Sequence, residues 1–330
     1  MNILMRSMAA IVACAVMGCD SGSDDSSSTS TQVRVQLNWF PESEFGGLYE
    51  ASLNGEFSKS GLEVEVLKGG PSVPAAQMVA SGQVEFAVVS APQLMTLRSQ
   101  GGPVTAVFST FQKNPRGIIV RMDSPYSSLE ELWKSSSTVM GENGLEFMKW
   151  LNREYTGKDL AFVPYTGSLV PFIEKKVDAM QCFATAEPVQ LEIDGVPNTV
   201  FIVADTGYNP YETVIAVNDD FLKDHPEKVD AFVVALRKGW NAYLASPRKT
   251  NQHMHSLNPD MTMKVLEISC SLLANYVQSD VTERKDIGWM TQERWDQLGK
   301  QLTLIDILTE DSVKKIGTPF INPPLVTGEE

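Results

Sequence analysis

The sequence predicts an α/β protein folded as two lobes with a ligand cleft between them. Three observations support this. Short apolar strands alternate with helices over residues 33–108, the alternation restarts after Gly117, and from Asp219 the apolar spacing is helical. A length of 330 residues suffices for two ordinary cores, and 43% hydrophobic with 21% charged residues reads as globular.

The first unit opens at Gln32. Val33, Val35 and Leu37 alternate with Arg34, Gln36 and Asn38, as a strand with one buried face does. Pro41 breaks it, and Glu42 or Ser43 can cap a helix through Leu48, Tyr49 and Ala51. Residues 62–66 form an alternating strand, Lys68-Gly69-Gly70-Pro71-Ser72 a tight turn, and residues 73–80 a helix. The strand 86–89 leads through Ser90-Ala91-Pro92 into a helix carrying Leu94 and Leu97, and 104–108 is a fourth strand. This rhythm predicts a parallel, doubly wound sheet, which binds ligands at the carboxyl ends of its strands.

The second unit begins with Gly117-Ile118-Ile119-Val120, and Ser127 with Glu130 reads as a capping box for a helix over 129–133. Strands are expected at 138–140, 160–163, 177–183 and 199–203, with helices at 145–155 and 169–176. The strand 213–217 then returns. Lobe two is thus an insertion into lobe one: residues 32–117 are lobe one, 118–213 are lobe two, and 214–330 supply the return strand and helices packed on lobe one. Residues 321–330, with Pro323-Pro324, read as an exposed tail.

Residues 1–19 stand outside this pattern. Arg6 gives a positive start, and residues 8–17 are apolar but too short to span a bilayer. Val16-Met17-Gly18-Cys19 resembles a bacterial lipobox, whose cysteine is acylated and becomes the new N-terminus; ordinary secretory cleavage nearby is the alternative. Residues 20–31, DSGSDDSSSTST, hold no apolar side chain and read as a flexible tether, which favours lipidation at Cys19. The expected place is the periplasmic side of the cell envelope, held to the membrane by lipid.

Composition and motifs exclude several classes. A formal charge of -14 leaves no basic excess for nucleic acid. Beyond Cys14 and Cys19 only Cys182 and Cys270 remain; they lack metal spacing, and two isolated buried thiols are a plainer expectation than a disulfide. There is no phosphate loop, HExxH or nucleophile elbow, so no catalytic residue, metal or cofactor is expected. His253 and His255, two apart on a helix, read as surface residues.

The candidate ligand contacts lie at strand ends. Asn38 offers a donor and an acceptor and Trp39 a flat face, although Trp39 could equally plug the sheet end; Tyr49 lies on the helix that follows. The turns holding Ser72 and Ser90, Gly141 with Gly144, and Tyr165 with Ser168 place free N–H groups at helix N-termini, where an anion or a carbonyl oxygen can bind. Glu187, held by Pro188 after an apolar strand, either accepts from a ligand amino group or is a solvated helix start. Tyr208 and Tyr211 can stack at the lobe junction or pack the hinge.

Nearly all the chain after the tether resembles the family of thiamine-pyrimidine-precursor binding proteins. The likeness rests on LNWFPESEFGGLYEA, GGPSVPAAQMVASGQVEFAVVSA, FQKNPRGIIV, VDAMQCFATAEPVQLE and YETVIAVNDDFLKDHPEKVDAF. The middle segments are shared with sulfonate- and nitrate-type binding proteins. The family contains bacterial importer components for formylaminopyrimidine or hydroxymethylpyrimidine, and fungal pyrimidine synthases. The resemblance implies a type II periplasmic binding fold, a small heteroaromatic ligand, an ABC permease as partner and a monomer. Two departures stand out: the pyrimidine proteins usually carry His where this chain has Phe45, and the Cys-rich run of the fungal enzymes is missing. Binding is therefore expected over the alternatives, a pyrimidine synthase, a carrier of a sulfonate- or nitrate-type anion, or an envelope sensor.

Overall fold

A computed structural model describes residues 30–142, 144–156 and 160–324. The leader, most of the tether, Cys19 and residues 325–330 lie outside the described residues. The strands are β1 (Thr31–Gln36), β2 (Leu62–Leu67), β3 (Phe86–Val89), β4 (Val104–Phe111), β5 (Arg116–Arg121), β6 (Thr138–Gly141), β7 (Ala161–Pro164), β8 (Ala179–Phe183), β9 (Asn198–Ile202) and β10 (Glu212–Asn218). They form two five-stranded sheets, ordered β2-β1-β3-β10-β4 and β7-β6-β8-β5-β9.

Neither sheet is fully parallel, contrary to the expectation from the β-α-β rhythm. The return strand β10 inserts between β3 and β4 and runs antiparallel to both. In the second sheet β5 runs antiparallel to β8 and β9. A strand arriving from the other lobe has no crossover helix to fix its direction, so it enters the sheet from the opposite end. Alternation describes β1 as far as Val35, with Val33 and Val35 buried and Arg34 exposed, but Gln36 is buried as well. It fails for β4, which is buried along its whole length and runs on to Phe111.

The chain passes from β4 to β5 through residues 112–115, so Arg116 and Gly117 belong to the second sheet and Glu212 and Thr213 to the first. Arg294 holds both passages together: its guanidinium donates to the carbonyls of Asn209 (2.7 Å), Pro210 (3.1 Å) and Gln112. Asn114 bridges the same segments, donating to the Pro210 carbonyl at 3.1 Å and the Glu212 carboxylate at 3.2 Å. Thr213 sits in the left-handed region at φ 51, a costly conformation for a β-branched residue, at the point where the chain re-enters lobe one.

The long helix Pro226–Ala245 packs on the helix Gly46–Leu53. A Cβ on Gly239 would lie 2.3 Å from the Gly47 carbonyl oxygen, so the two backbones touch where no larger residue fits.

Several local expectations shift. The helix Leu129–Trp133 is capped by Ser128, which accepts from the Glu131 N–H, while Ser127 bonds the Glu131 carboxylate. The described part of the tail is tied down: Phe320 bridges to Ala106 of β4, and buried Arg237 donates to the carbonyls of Pro323 and Pro324. Cys182 and Cys270 are buried and free of disulfides. His253 packs edge-on against Tyr49, with ring centroids 5.5 Å apart, and is no simple surface residue. Among the described residues no helix is long and apolar enough to cross a membrane.

Candidate functional site

A cleft of about 390 Å³ lies where the carboxyl ends of the two sheets face each other. Asn38 and Trp39 follow β1, Gly70 to Ser72 follow β2, Glu142 follows β6, Tyr165 follows β7, and Glu187 stands four residues beyond Phe183 at the end of β8. Gly69, just before Gly70 to Ser72, lies close on the β1 end: a Cβ there would fall 2.4 Å from the Leu37 carbonyl oxygen and 2.5 Å from the Trp39 nitrogen. Only glycine lets the turn lie on the backbone that presents Trp39.

Two aromatic rings face each other across the gap. Trp39 from lobe one and Tyr165 from lobe two are nearly parallel at 18°, with centroids 6.5 Å apart. A flat ring held between two others needs about 7 Å, twice a carbon–carbon contact distance, so these rings must part by about half an ångström or more to admit one. The Trp39 side chain stands near Glu42 and offsets a small part of the rise that burial gives its carboxyl. Tyr165 Oη donates to Glu187 at 3.1 Å, and the Phe183 N–H donates to the other Glu187 oxygen at 2.7 Å. Asn38 Oδ1 is buried and has no protein donor.

The lining is acidic. Glu42, Glu44, Glu142, Glu146 and Glu187 all face the cleft, with Arg116 as the one basic side chain among the described lining residues. Arg116 is already engaged: its Nε lies 3.1 Å from a Glu212 oxygen and its guanidinium stacks over the Phe183 ring. Burial disfavours its charge, but Glu212 and Glu142 outweigh that and hold it ionised. Burial, and then Glu212 beside it, pushes the Glu44 carboxyl up to about 8. Glu42 is raised well above the carboxylate range by burial and then by Glu44 and Glu187. Glu187 and Glu146 are raised as well, again chiefly by burial.

Of the residues expected from sequence, Asn38, Trp39, Ser72, Tyr165 and Glu187 line this cleft; Tyr49, Ser90, Ser168, Tyr208 and Tyr211 do not. Tyr49 is buried in the lobe-one core against His253. Ser90 spends its hydroxyl on a capping box with Gln93 at the start of the helix Ala91–Ser99. Ser168 is exposed, and its hydroxyl accepts from the Val170 N–H at 3.4 Å. Tyr208 stacks on Trp150 and, with Ser90, lines a small adjoining cavity that shares Gln93, Arg116, Leu145 and Glu146 with the cleft, its buried hydroxyl without a protein partner. Tyr211 accepts from the Thr291 N–H while Arg294 covers its ring, so it packs the hinge. Phe45 is also core, not cleft.

The turns do not form an anion cradle. Ser90 already satisfies the first free N–H of its helix, Glu146 itself opens the helix Glu146–Tyr155, and the other two helices, Ala75–Ala80 and Val170–Ile173, are short. Glu42, Glu44, Arg116 and Gln181 were missed because each looked locally ordinary. The available signal was polarity inside apolar context: Gln181 interrupts AMQCF, and Glu44 lies between a proline turn and Phe45.

The family described as NMT1/THI5 like matches residues 42–250. The riboflavin-binding protein RibY of Chloroflexus aurantiacus is 26% identical over 284 residues, 81% of this chain and 79% of that protein. The 4-amino-5-hydroxymethyl-2-methylpyrimidine phosphate synthase of Uromyces fabae is 21% identical, covering 89% of this chain and 88% of the enzyme. The formylaminopyrimidine-binding protein of Halalkalibacterium halodurans is 23% identical, covering 89% and 92%. In solved structures, the periplasmic aliphatic sulphonate binding protein SsuA of Escherichia coli superposes with a TM-score of 0.65 at 10% identity, over 91% of this chain and 94% of that one. At that identity the likeness speaks to the fold, which is that of the periplasmic binding proteins. With more than half of its length matched and both lobes in place, the chain belongs to the NMT1/THI5-like family.

Proposed function

We propose that this protein is the solute-binding component of an ABC importer, and that it binds a flat, amino-bearing heteroaromatic molecule in the cleft. The observation that carries this reading is the pair Trp39 and Tyr165, one from each lobe and nearly parallel at 18°, with Glu187 bonded to the same tyrosine. A ring between them gains about 0.5–1.5 kcal/mol per aromatic face beyond burial. Asn38 Oδ1, unpartnered, accepts from a ring N–H or amino group. Lobe closure over the ligand presents a changed face to a permease. Relatives named for riboflavin and for formylaminopyrimidine support the heteroaromatic class. The leader and tether support a lipid anchor at Cys19 on the periplasmic side of the envelope, and one lobe pair per cleft fits a monomer.

The synthase reading draws on the Uromyces fabae relative. A pyridoxal-dependent version needs a lysine for the imine, and the described cleft lining contains neither lysine nor histidine. Incubation with pyridoxal phosphate and borohydride, read by intact mass, should give no specific adduct. The binding reading is tested by a thermal-shift screen of aminopyrimidines, flavins, sulfonates and nitrate. Stabilisation by an amino-heteroaromatic compound is expected. Stabilisation by sulfonates or nitrate alone, or by nothing in the panel, would overturn it.

A further inference from the structure

The cleft's charge is lopsided in a way that ring recognition does not require. Glu42 and Glu44 enter it from lobe one, and Glu142, Glu146 and Glu187 from lobe two. Arg116 is the single basic group in the described lining, and it is already paired with Glu212. The carboxylates also act on one another: Glu44 lies within electrostatic reach of Glu142, Glu187 and Glu212, and Glu42 within reach of Glu44 and Glu187. Among the described lining residues the one buried side-chain polar atom without a partner is an acceptor, Asn38 Oδ1. A cleft that closes on such a set must take up positive charge, either as protons or as a ligand. A phosphate or sulfonate would meet these oxygens at close range with no free guanidinium or ammonium to receive it.

We propose that the ligand is cationic: an amino-heteroaromatic molecule with a protonated or quaternary nitrogen, held by the Glu42, Glu44, Glu142 and Glu187 carboxylates, with phosphorylated and sulfonated forms excluded. This inference rests on the cleft's being the ligand site. It goes beyond ring recognition by naming the charge that the ligand brings. It also separates the cleft from that of an anion carrier on the same fold.

The test holds the ring constant and varies only charge. Calorimetric titrations use 4-amino-2-methylpyrimidine carrying aminomethyl (cation), hydroxymethyl (neutral) or hydroxymethyl phosphate (anion) at position 5. Riboflavin and riboflavin 5′-phosphate form a second pair on another ring. The cation should bind at least about tenfold tighter than the alcohol, and each phosphate ester at least about tenfold weaker than its parent. Glu44→Gln and Glu142→Gln should each narrow the cation-to-alcohol ratio, and melting temperatures measured alongside establish that the variants fold. Equal affinity for the cation and the alcohol, or a phosphate ester that binds as tightly as its parent, overturns the charge assignment while the heteroaromatic reading stands. No binding by any of the five compounds overturns both.

Discussion

Glu44 gives the sharpest measurement on the protein without ligand. The residue is 7% exposed in the short turn Ser43–Phe45, and its carboxyl is pushed up to about 8 by burial, then by Glu212, against a partial opposing pull from Arg116. In the unfolded chain the same group titrates near 4.3. Between those values the folded state holds a proton that the unfolded state has lost. Stability therefore falls as pH rises through this window, and above about 8 the full cost is present. Each unit of separation is worth about 1.4 kcal/mol, so allowing for relaxation and water entry the group costs on the order of a few kcal/mol at pH 8.

Glu44→Gln removes that titration while keeping the side chain's shape. The assay is the melting temperature of both proteins at pH 5, 6.5 and 8, without ligand. At about 2–4 °C per kcal/mol for a chain of this class, the wild type should lose several degrees more than the variant between pH 5 and 8. Glu42, Glu146 and Glu187 are raised in the same direction, so the wild-type slope also contains their share and only the difference between the curves reports Glu44. Burial works to raise Glu85 too, but the bonds from Arg34 outweigh it and leave its carboxyl lowered, so it titrates on the acid side of the window. Parallel curves for the two proteins would refute the buried-proton account of Glu44.

Glu187→Gln should weaken binding of the true ligand by about one to two decades, the loss of one charge-assisted hydrogen bond. Because Tyr165 and the Phe183 N–H both donate to Glu187, the melting temperature is read beside it, and unchanged affinity removes Glu187 from the site. Gly239→Ala forces a methyl group against the Gly47 carbonyl and should cost about 1–3 kcal/mol in a denaturant titration; a loss below about 0.5 kcal/mol would show that the helices can separate freely. Cys19→Ser should abolish detergent partitioning or leave the leader uncut, whereas a variant still cut at the same place and still partitioning rules out the lipid anchor.

What the sequence showed and hid follows from the range of the forces involved. The strand Thr31–Gln36 was legible because burial of Val33 and Val35 against exposed Arg34 is written in adjacent residues. Trp39 and Glu187 were legible because strand ends in α/β sheets point to one edge. The place of β10 was not legible, since its direction is set by partners more than a hundred residues away, at Phe86 to Val89. Tyr211 shows the same limit: an aromatic near a lobe crossing suits a ligand or a hinge equally, and Thr291 and Arg294 decide it. Glu42 and Glu44 looked like acidic residues favouring a helix start. What makes them cleft residues is lobe two standing opposite.

That division between lobes bears on how the cleft closes. Trp39, Glu42 and Glu44 come from one sheet's edge and Tyr165, Glu142 and Glu187 from the other's, so the site exists only when the edges meet. Bringing like charges together in a dry gap opposes closure, and near neutral pH the protons held by groups such as Glu44 relieve part of that opposition. A cation entering between the aromatic rings relieves it more completely, because it can face carboxylates of both lobes at once. Closure is then favoured by a ligand's differential interaction with the closed form, which is the one way a ligand can shift a conformational equilibrium. The hinge fits this use. Arg294 ties the crossings at Gln112 and Asn209 to each other, so the two lobes share one braced pair of connecting segments, as a hinge requires.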